Sequence, residues 1–489
     1  MGKFMEALVL ASAISVIVLQ FPSGVVGNSK RDVGVSVVLE WTDLHDWLLC
    51  SDVRQVAGPG VEIVGALAGQ IHFVQFHLSQ WHALIALEDT GSCTTESAVV
   101  AYASHRILSH YYPWAIDKFI DPLLNRHITT LKLSTSQSLL GQRIGEAVAD
   151  EVASKRKTPK PFSLRAVKST LTAASPHPTP GLYRYLNASA AGQDAMNFVL
   201  HNAALSNTFL LKDPLEFIKN HILGAVRAPK VPSPEFDRNW DALKDIGRID
   251  WPGRTLIMNL TADYYGCQRV NSSTCSIDGK MHKVMRAILP PKATVAETVT
   301  LLAKLSVAIF DTGVVLDTLQ YGFWFWRPVM AFRSGDAHHA AIPSWTPYAF
   351  TPPHPEFPSG TVINVAAAVR ILELHFGDDV GAFSVPGSGV NLPSCGTAGL
   401  LEPTFNYTSL ADVVHTAQLA RMYAGAHWNS SVEAAALAGR RVGEWIHEHW
   451  AQRTPTGVLP DSKYLKVVAK LPNKAGEWSP IRFESIQLK

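Results

Sequence analysis

Apolar positions recur at helical spacing through most of the chain. Residues 36–50, 62–88, 95–112, 114–125 and 133–154 each carry one apolar stripe and one polar stripe, and Pro113 closes the third of them. Long amphipathic segments joined by short breaks predict a helix bundle and an all-α fold. The basic, proline-interrupted run 155–165 and the stretch Ser175–Tyr185 read as irregular connections. Helical character returns at 191–226 and 234–247, whereas 249–292 looks mixed, with short β-like pieces. The longest pattern, 294–328, reads as two helices meeting near Asp311, Thr312 and Gly313. On a continuous helix Gln320 and Arg327, seven apart, would share a face, and Pro328 would end it. After a proline-rich turn, Ser359-Gly360-Thr361 opens another apolar helix, with Val362, Val365, Ala366, Val369 and Leu372 on its stripe. A loop at 384–406, a helix at 408–424 stopped by Gly425, and a last helix from a Ser430/Glu433 capping box to about Trp450 complete the pattern. The tail beyond is polar and proline-broken.

Composition sharpens this picture in two respects. The 489 residues are 47% hydrophobic, enough for a large core, and 43 Lys+Arg against 41 Asp+Glu give a net charge of +2, which argues for neither nucleic acid nor a polyanionic partner. Lys3 precedes an apolar run from Ala7 to Phe21, and small residues Val25 and Gly27 follow, so 1–27 reads as a removable secretory leader and 28–489 as a single domain. The expectation is a secreted, extracellular or vacuolar protein with no membrane contact once the leader is cleaved. Sequons at Asn187, Asn259, Asn271, Asn406 and Asn429 suit that route, and in an oxidising compartment Cys267 and Cys275, bracketing a short polar loop, are the best disulfide candidates. Cys50 with Cys93 is a weaker pairing and leaves Cys395 over.

The chemistry gathers at three places. A helix N-terminus carries free N–H groups and about half a positive charge, so Ser359 and Gly360 offer a seat for an anion, although Pro-Ser-Gly before a helix is more often a plain cap. Arg327 stands among Tyr321, Phe323, Trp324, Phe325 and Trp326, where a stacked surface arginine is the competing reading. Arg421 and His427 meet on one ligand only if Gly425 breaks the helix between them.

In order, WRPVMAFR (326–333), TPPHPEFPSGT (351–361) and ARMYAGAHW (420–428) resemble the vanadium-dependent haloperoxidase and bacterial acid phosphatase superfamily. Its signature is Lys, six residues, Arg-Pro, then Pro-Ser-Gly-His, then Ser-Arg-x-x-x-Gly-x-His. The segments SWTPYAFTPPHPEFPSG and AYASHRILSHYYP also look like plant and bacterial relatives, and the resemblance spans roughly 36–450. It implies two packed four-helix bundles, with the anion-site half at about 294–450. It implies that Arg327 and Arg421 clamp a vanadate or phosphate, that Ser359 and the Gly360 N–H add donors, and that His427 binds vanadium or becomes a phosphohistidine. Vanadate is the cofactor so implied, with no haem and no nucleotide. The partners are an oxyanion and a small-molecule substrate.

Two departures fall within the motifs. Gln320 stands where the family has Lys, and Thr361 where it has the acid–base His of Pro-Ser-Gly-His. A Gln donates without charge and a Thr hydroxyl does not titrate near neutrality, so both remain anion-site candidates while classical halide oxidation should be weakened or replaced. His354, His338 and His339 are candidate substitutes for the acid–base group, His354 the weaker of them because relatives that keep their own acid–base His carry it too. A phosphatase and a non-catalytic anion- or partner-binding protein are the alternative readings.

Overall fold

A computed structural model describes residues 32–50, 66–88, 96–155, 179–183, 208–266, 276–349, 351–352, 354–386, 404–450, 465–468, 474–479 and 482–485. Helices dominate. The N-terminal group comprises α1 (Val33–Cys50), α2 (Ala66–Glu88), α3 (Glu96–Tyr111), α4 (Asp121–Leu131) and α5 (Thr135–Lys155), with a short 3-10 turn and a π-helical turn leading into α4. Next come α6 (Pro214–Phe217), which runs on as a π-helical turn, then α7 (Pro234–Leu243), α8 (Leu256–Gly266) and α9 (Ile277–Ile288). The site-bearing half holds α10 (Val295–Phe323), α11 (Pro328–Ser334), α12 (Gly360–Phe376), α13 (Leu410–Tyr423) and α14 (Asn429–His449). Two small antiparallel hairpins, β1 (Phe383–Pro386) with β2 (Thr404–Tyr407) and β3 (Leu465–Val468) with β4 (Arg482–Ser485), are the only sheets among the described residues.

The axis of the molecule is α10. Thr294 caps it through a reciprocal pair with Glu297, and it packs against α2 on one side and α12, α14 and α9 on the other, joining the two helical groups. It is long and apolar enough to cross a bilayer, but most of that length is buried among other helices. The expected break at Asp311–Gly313 does not occur. The Asp311 carboxylate instead accepts the backbone N–H groups of Phe209 (2.6 Å), Leu210 (2.8 Å) and Leu211 (2.9 Å), pinning a neighbouring strand of chain to an unbroken helix.

Other boundaries differ for equally local reasons. Within 249–292 the described regular elements are α8 and α9, flanked by turns at 249–255 and 289–292, with Tyr265 buried and Tyr264 partly buried on a helix rather than on strands. The last helix starts at Asn429, with Trp428 at the N-cap; Glu433 accepts from the Asn429 amide instead of closing a box with Ser430. The tail contributes a hairpin and a close contact, the Ser479 N–H donating to the Gly322 carbonyl at 2.9 Å.

Burial along α12 is nearly complete. Val362, Ile363, Val365, Val369, Ile371 and Leu372 are all fully enclosed, at about 1.5–3 kcal/mol of transfer free energy each. Helix α14 lies against α12 so closely that a Cβ at Gly439 would stand 2.1 Å from the Ile363 carbonyl, and one at Gly443 would stand 2.6 Å from that of Ala367. That approach holds the N-terminus of α12 beside the turn before α14.

Candidate active site

The N-terminus of α12 opens inward. Ser359 is its N-cap, yet its side chain caps nothing; the Oγ is buried and meets no partner among the described residues. The first N–H groups of the helix, Gly360 included, have no intrahelical acceptor. A donor-rich corner is thus left facing the interior.

Arg327 is carried into the interior by a reversal of the chain. Trp324 takes a left-handed conformation (φ 53°) and stops α10, its indole N–H donating to the Tyr183 carbonyl at 3.0 Å. Arg327 then becomes the N-cap residue of α11, so it does not share a helix with Gln320 as the spacing suggested. Its guanidinium is fully buried. Nη1 lies 3.0 Å from the Ala426 carbonyl and 3.1 Å from His427 Nε2, Nε donates to the His354 carbonyl at 3.0 Å, and Nη2 sits 3.2 and 3.3 Å from the two His354 ring nitrogens.

Arg421 arrives from the last turn of α13. It is 1% exposed, and its Nε and Nη1 meet no partner among the described residues. Burial, then the charge of Arg327, brings its pKa down to about 10, and burial brings Arg327 down to about 10, so both remain cationic at neutral pH. Two buried guanidinium groups near one another, one of them, Arg421, with unpaired N–H donors, are costly unless an anion joins them. Gly425 (φ 69°) then turns the chain back, and a Cβ there would stand 2.3 Å from the Gly247 carbonyl, so the turn that delivers His427 requires glycine.

His427 is buried, and burial together with Arg327 and Arg421 holds its pKa well below the usual imidazole value. Its Nδ1 is 2.7 Å from Glu356 Oε1, which also accepts the Trp428 N–H at 3.1 Å. Glu356 is fully buried; burial pushes its carboxyl up to about 8, with Arg327 pulling the other way. Glu356 escaped the sequence analysis. The signal for it was an acidic residue set three positions before Ser359 in a turn otherwise made of prolines and aromatics.

The remaining candidates divide. Gln320 is buried under the α12 N-terminus, where its amide donates to the Pro358 carbonyl at 2.9 Å. Thr361 is half-buried on the first turn of α12 and makes no side-chain hydrogen bond to Arg327, Arg421 or His427. His354 touches Arg327 directly. His338 lies 3.0 Å from Asp237 and His339 3.0 Å from Asp336, with His339 stacked on Trp240 at 4.3 Å, so both are held by carboxylates rather than by the arginines. The Asn259 amide oxygen accepts from Arg254, Asn406 is exposed on β2, and Asn429 is half-buried at the start of α14. Cys267, Cys275, Cys93, Cys395, Asn187 and Asn271, and the leader 1–27, lie outside the described residues.

The site suits an oxyanion better than a bare cation. Among the described residues no three His, Cys, Asp or Glu side chains form a metal-ion cage. The unpartnered Arg421 nitrogens, the Ser359 hydroxyl and the free helix end would be the donors to the oxygens of a vanadate or phosphate, with one neutral imidazole nitrogen offering a lone pair beside them.

The described residues form a helical-bundle protein that buries Arg327, Arg421 and His427 together in its interior. Residues 300–455 match the VCPO second helical-bundle domain. Among solved structures, the first bacterial vanadium-dependent iodoperoxidase superposes with a TM-score of 0.60 at 17% identity, covering 87% of this chain and 98% of that one. Holo- and apo-type bacterial vanadium-dependent chloroperoxidases superpose with TM-scores of 0.56 and 0.55 at 16% and 17% identity, each covering 83% of this chain and 97% and 98% of theirs. No curated protein matches the sequence. The chain has the fold of the vanadium haloperoxidase superfamily, and the Arg327, Ser359, Arg421 and His427 segments all lie in the part matched to its second bundle.

Proposed function

We propose that this chain is a haloperoxidase-type enzyme of the secretory pathway that seats a vanadate or phosphate among Arg327, Arg421, Ser359, the Gly360 N–H and His427, and acts on a small molecule there. The observation that carries the reading is the pair of buried, unpartnered Arg421 nitrogens beside Arg327 and a neutral imidazole. The residues fit the group: Arg327 and Arg421 would neutralise it, Ser359 and the helix end would orient it, and His427 would offer it the Nε2 lone pair. Vanadate, when bound, would activate hydrogen peroxide for oxygen transfer to a halide.

This chain's own acid–base provision is the weak point. Thr361 does not titrate near neutrality, and a positioned acid–base group is worth about 10²–10⁴ in rate. His354, beside Arg327, is the substitute favoured over His338 and His339, whose rings are engaged with Asp237 and Asp336. Classical halide oxidation is therefore expected to be weak. Orthovanadate titration of the purified glycoprotein, followed by a peroxide-dependent bromination assay, tests the reading; turnover of p-nitrophenyl phosphate with a trapped phosphohistidine would replace it with phosphatase chemistry. An inert protein in which His427→Ala alters neither binding nor turnover would leave only a non-catalytic role.

A further inference from the structure

We propose that Glu356 is the positioning residue that fixes His427 as its Nδ1–H tautomer, so that the Nε2 lone pair and not an N–H faces the oxyanion seat. The proposal rests on the oxyanion reading of the same site and adds to it the group that makes the imidazole competent. An arginine side chain has donors only, so Arg327 Nη1, 3.1 Å from His427 Nε2, requires that nitrogen to accept. A neutral imidazole carries one ring proton, which must then sit on Nδ1. Nδ1 points at Glu356 Oε1 from 2.7 Å, and the same oxygen takes the Trp428 N–H at 3.1 Å. An oxygen that receives two N–H donors is acting as acceptor whether or not its partner oxygen holds a proton.

The carboxyl is also built into the frame that aligns the other two groups. The Glu356 backbone N–H donates to the Phe325 carbonyl at 2.9 Å, and the Trp428 indole donates to the Trp326 carbonyl at 3.2 Å, so the segments bearing Arg327, Glu356 and His427 are tied to one another. Remove the acceptor and Nδ1–H becomes a buried donor without a partner. The ring then gains by turning away from Arg327 and carrying its proton on Nε2, which removes the lone pair that must meet the ligand.

The test is nitrogen-15 NMR of the full chain labelled at histidine, with the His427 signal assigned by its absence in His427→Gln, together with orthovanadate titration of the same samples. Wild type is expected to show the Nδ1–H tautomer. Glu356→Gln, which keeps an oxygen acceptor, should retain both the tautomer and the affinity. Glu356→Met should shift the proton to Nε2 and weaken orthovanadate binding by about 10–100-fold, the range for lost outer-shell partners. Glu356→Met binding as wild type does would overturn the proposal. So would an Nε2–H signal in wild type, which decides the matter even if the methionine variant fails to fold. Wild type that shows the Nδ1–H tautomer but binds no orthovanadate would sink the oxyanion reading and leave the role of Glu356 standing.

Discussion

Arg327 and His427, 100 positions apart in sequence, meet at 3.1 Å, guanidinium nitrogen to imidazole nitrogen, with no carboxylate between them. A cation set against a basic nitrogen in a buried site makes physical sense where a negatively charged ligand comes to lie beside both. Arg421 stands by with two nitrogens unused. Arg421→Ala should therefore weaken orthovanadate or phosphate binding by about 1.5–3 kcal/mol, roughly 10–150-fold, the worth of a charge-assisted contact. Arg421→Lys should recover only part, since a point charge cannot reproduce the planar fork. Isothermal titration of the three proteins checks both.

Asp311 offers a stability prediction independent of the site. Its carboxylate receives three backbone N–H groups from residues 209–211 in a fully buried setting. Asp311→Ala leaves those donors without an acceptor and should cost about 3 kcal/mol or more in chemical denaturation. Asp311→Asn, retaining one acceptor oxygen, should cost less.

A cluster of histidines in the N-terminal half sets a pH dependence. His45 is enclosed by Phe73 at 4.3 Å and Phe76 at 4.7 Å, and neither ring nitrogen meets a partner among the described residues. Burial drives the pKa of His45 and His77 well below the usual value, and that of His72 to about 3. A histidine whose folded pKa is depressed contributes stability above the unfolded value near 6.5, and this is lost as pH falls, because only the unfolded chain takes up the proton. His282, raised by Asp46, works in the opposite sense. His45→Phe should thus gain on wild type below pH 6.5 by about 1.4 kcal/mol per pH unit, read from denaturation midpoints across pH 4.5–7.5.

The acid–base deficit is testable by restoration. Thr361→His combined with Gln320→Lys should raise peroxide-dependent bromination above the parent, and His354→Ala in the parent should lower whatever turnover exists by about 10²-fold with little change in anion affinity. Steady-state assays read alongside vanadate titration separate the two effects. An inert double variant would mean the pocket has diverged beyond these two positions.

How far the sequence disclosed this arrangement depended on distance along the chain. The helical bundle followed from apolar spacing, and Arg327, Ser359, Arg421 and His427 stood in short ordered motifs. Gly425 was readable too, because a helix carrying Arg421 onward could not have turned His427 toward it. Glu356 was not, since its meaning lies in a nitrogen 71 residues away. The continuity of α10 was hidden because Asp311 and Gly313 look like a break until residues 209–211 supply donors for the carboxylate. The shared face assumed for Gln320 and Arg327 failed on a single left-handed residue, Trp324, which spacing alone does not reveal.

The central claim is that five groups from three distant segments surround one oxyanion. A crystal structure of the protein grown with orthovanadate tests it most directly. The account predicts density for a bound oxyanion contacted by Arg327, Arg421 and Ser359, with His427 Nε2 turned toward it. An interior holding only water, or an Arg421 side chain swung away to a carboxylate, would contradict it.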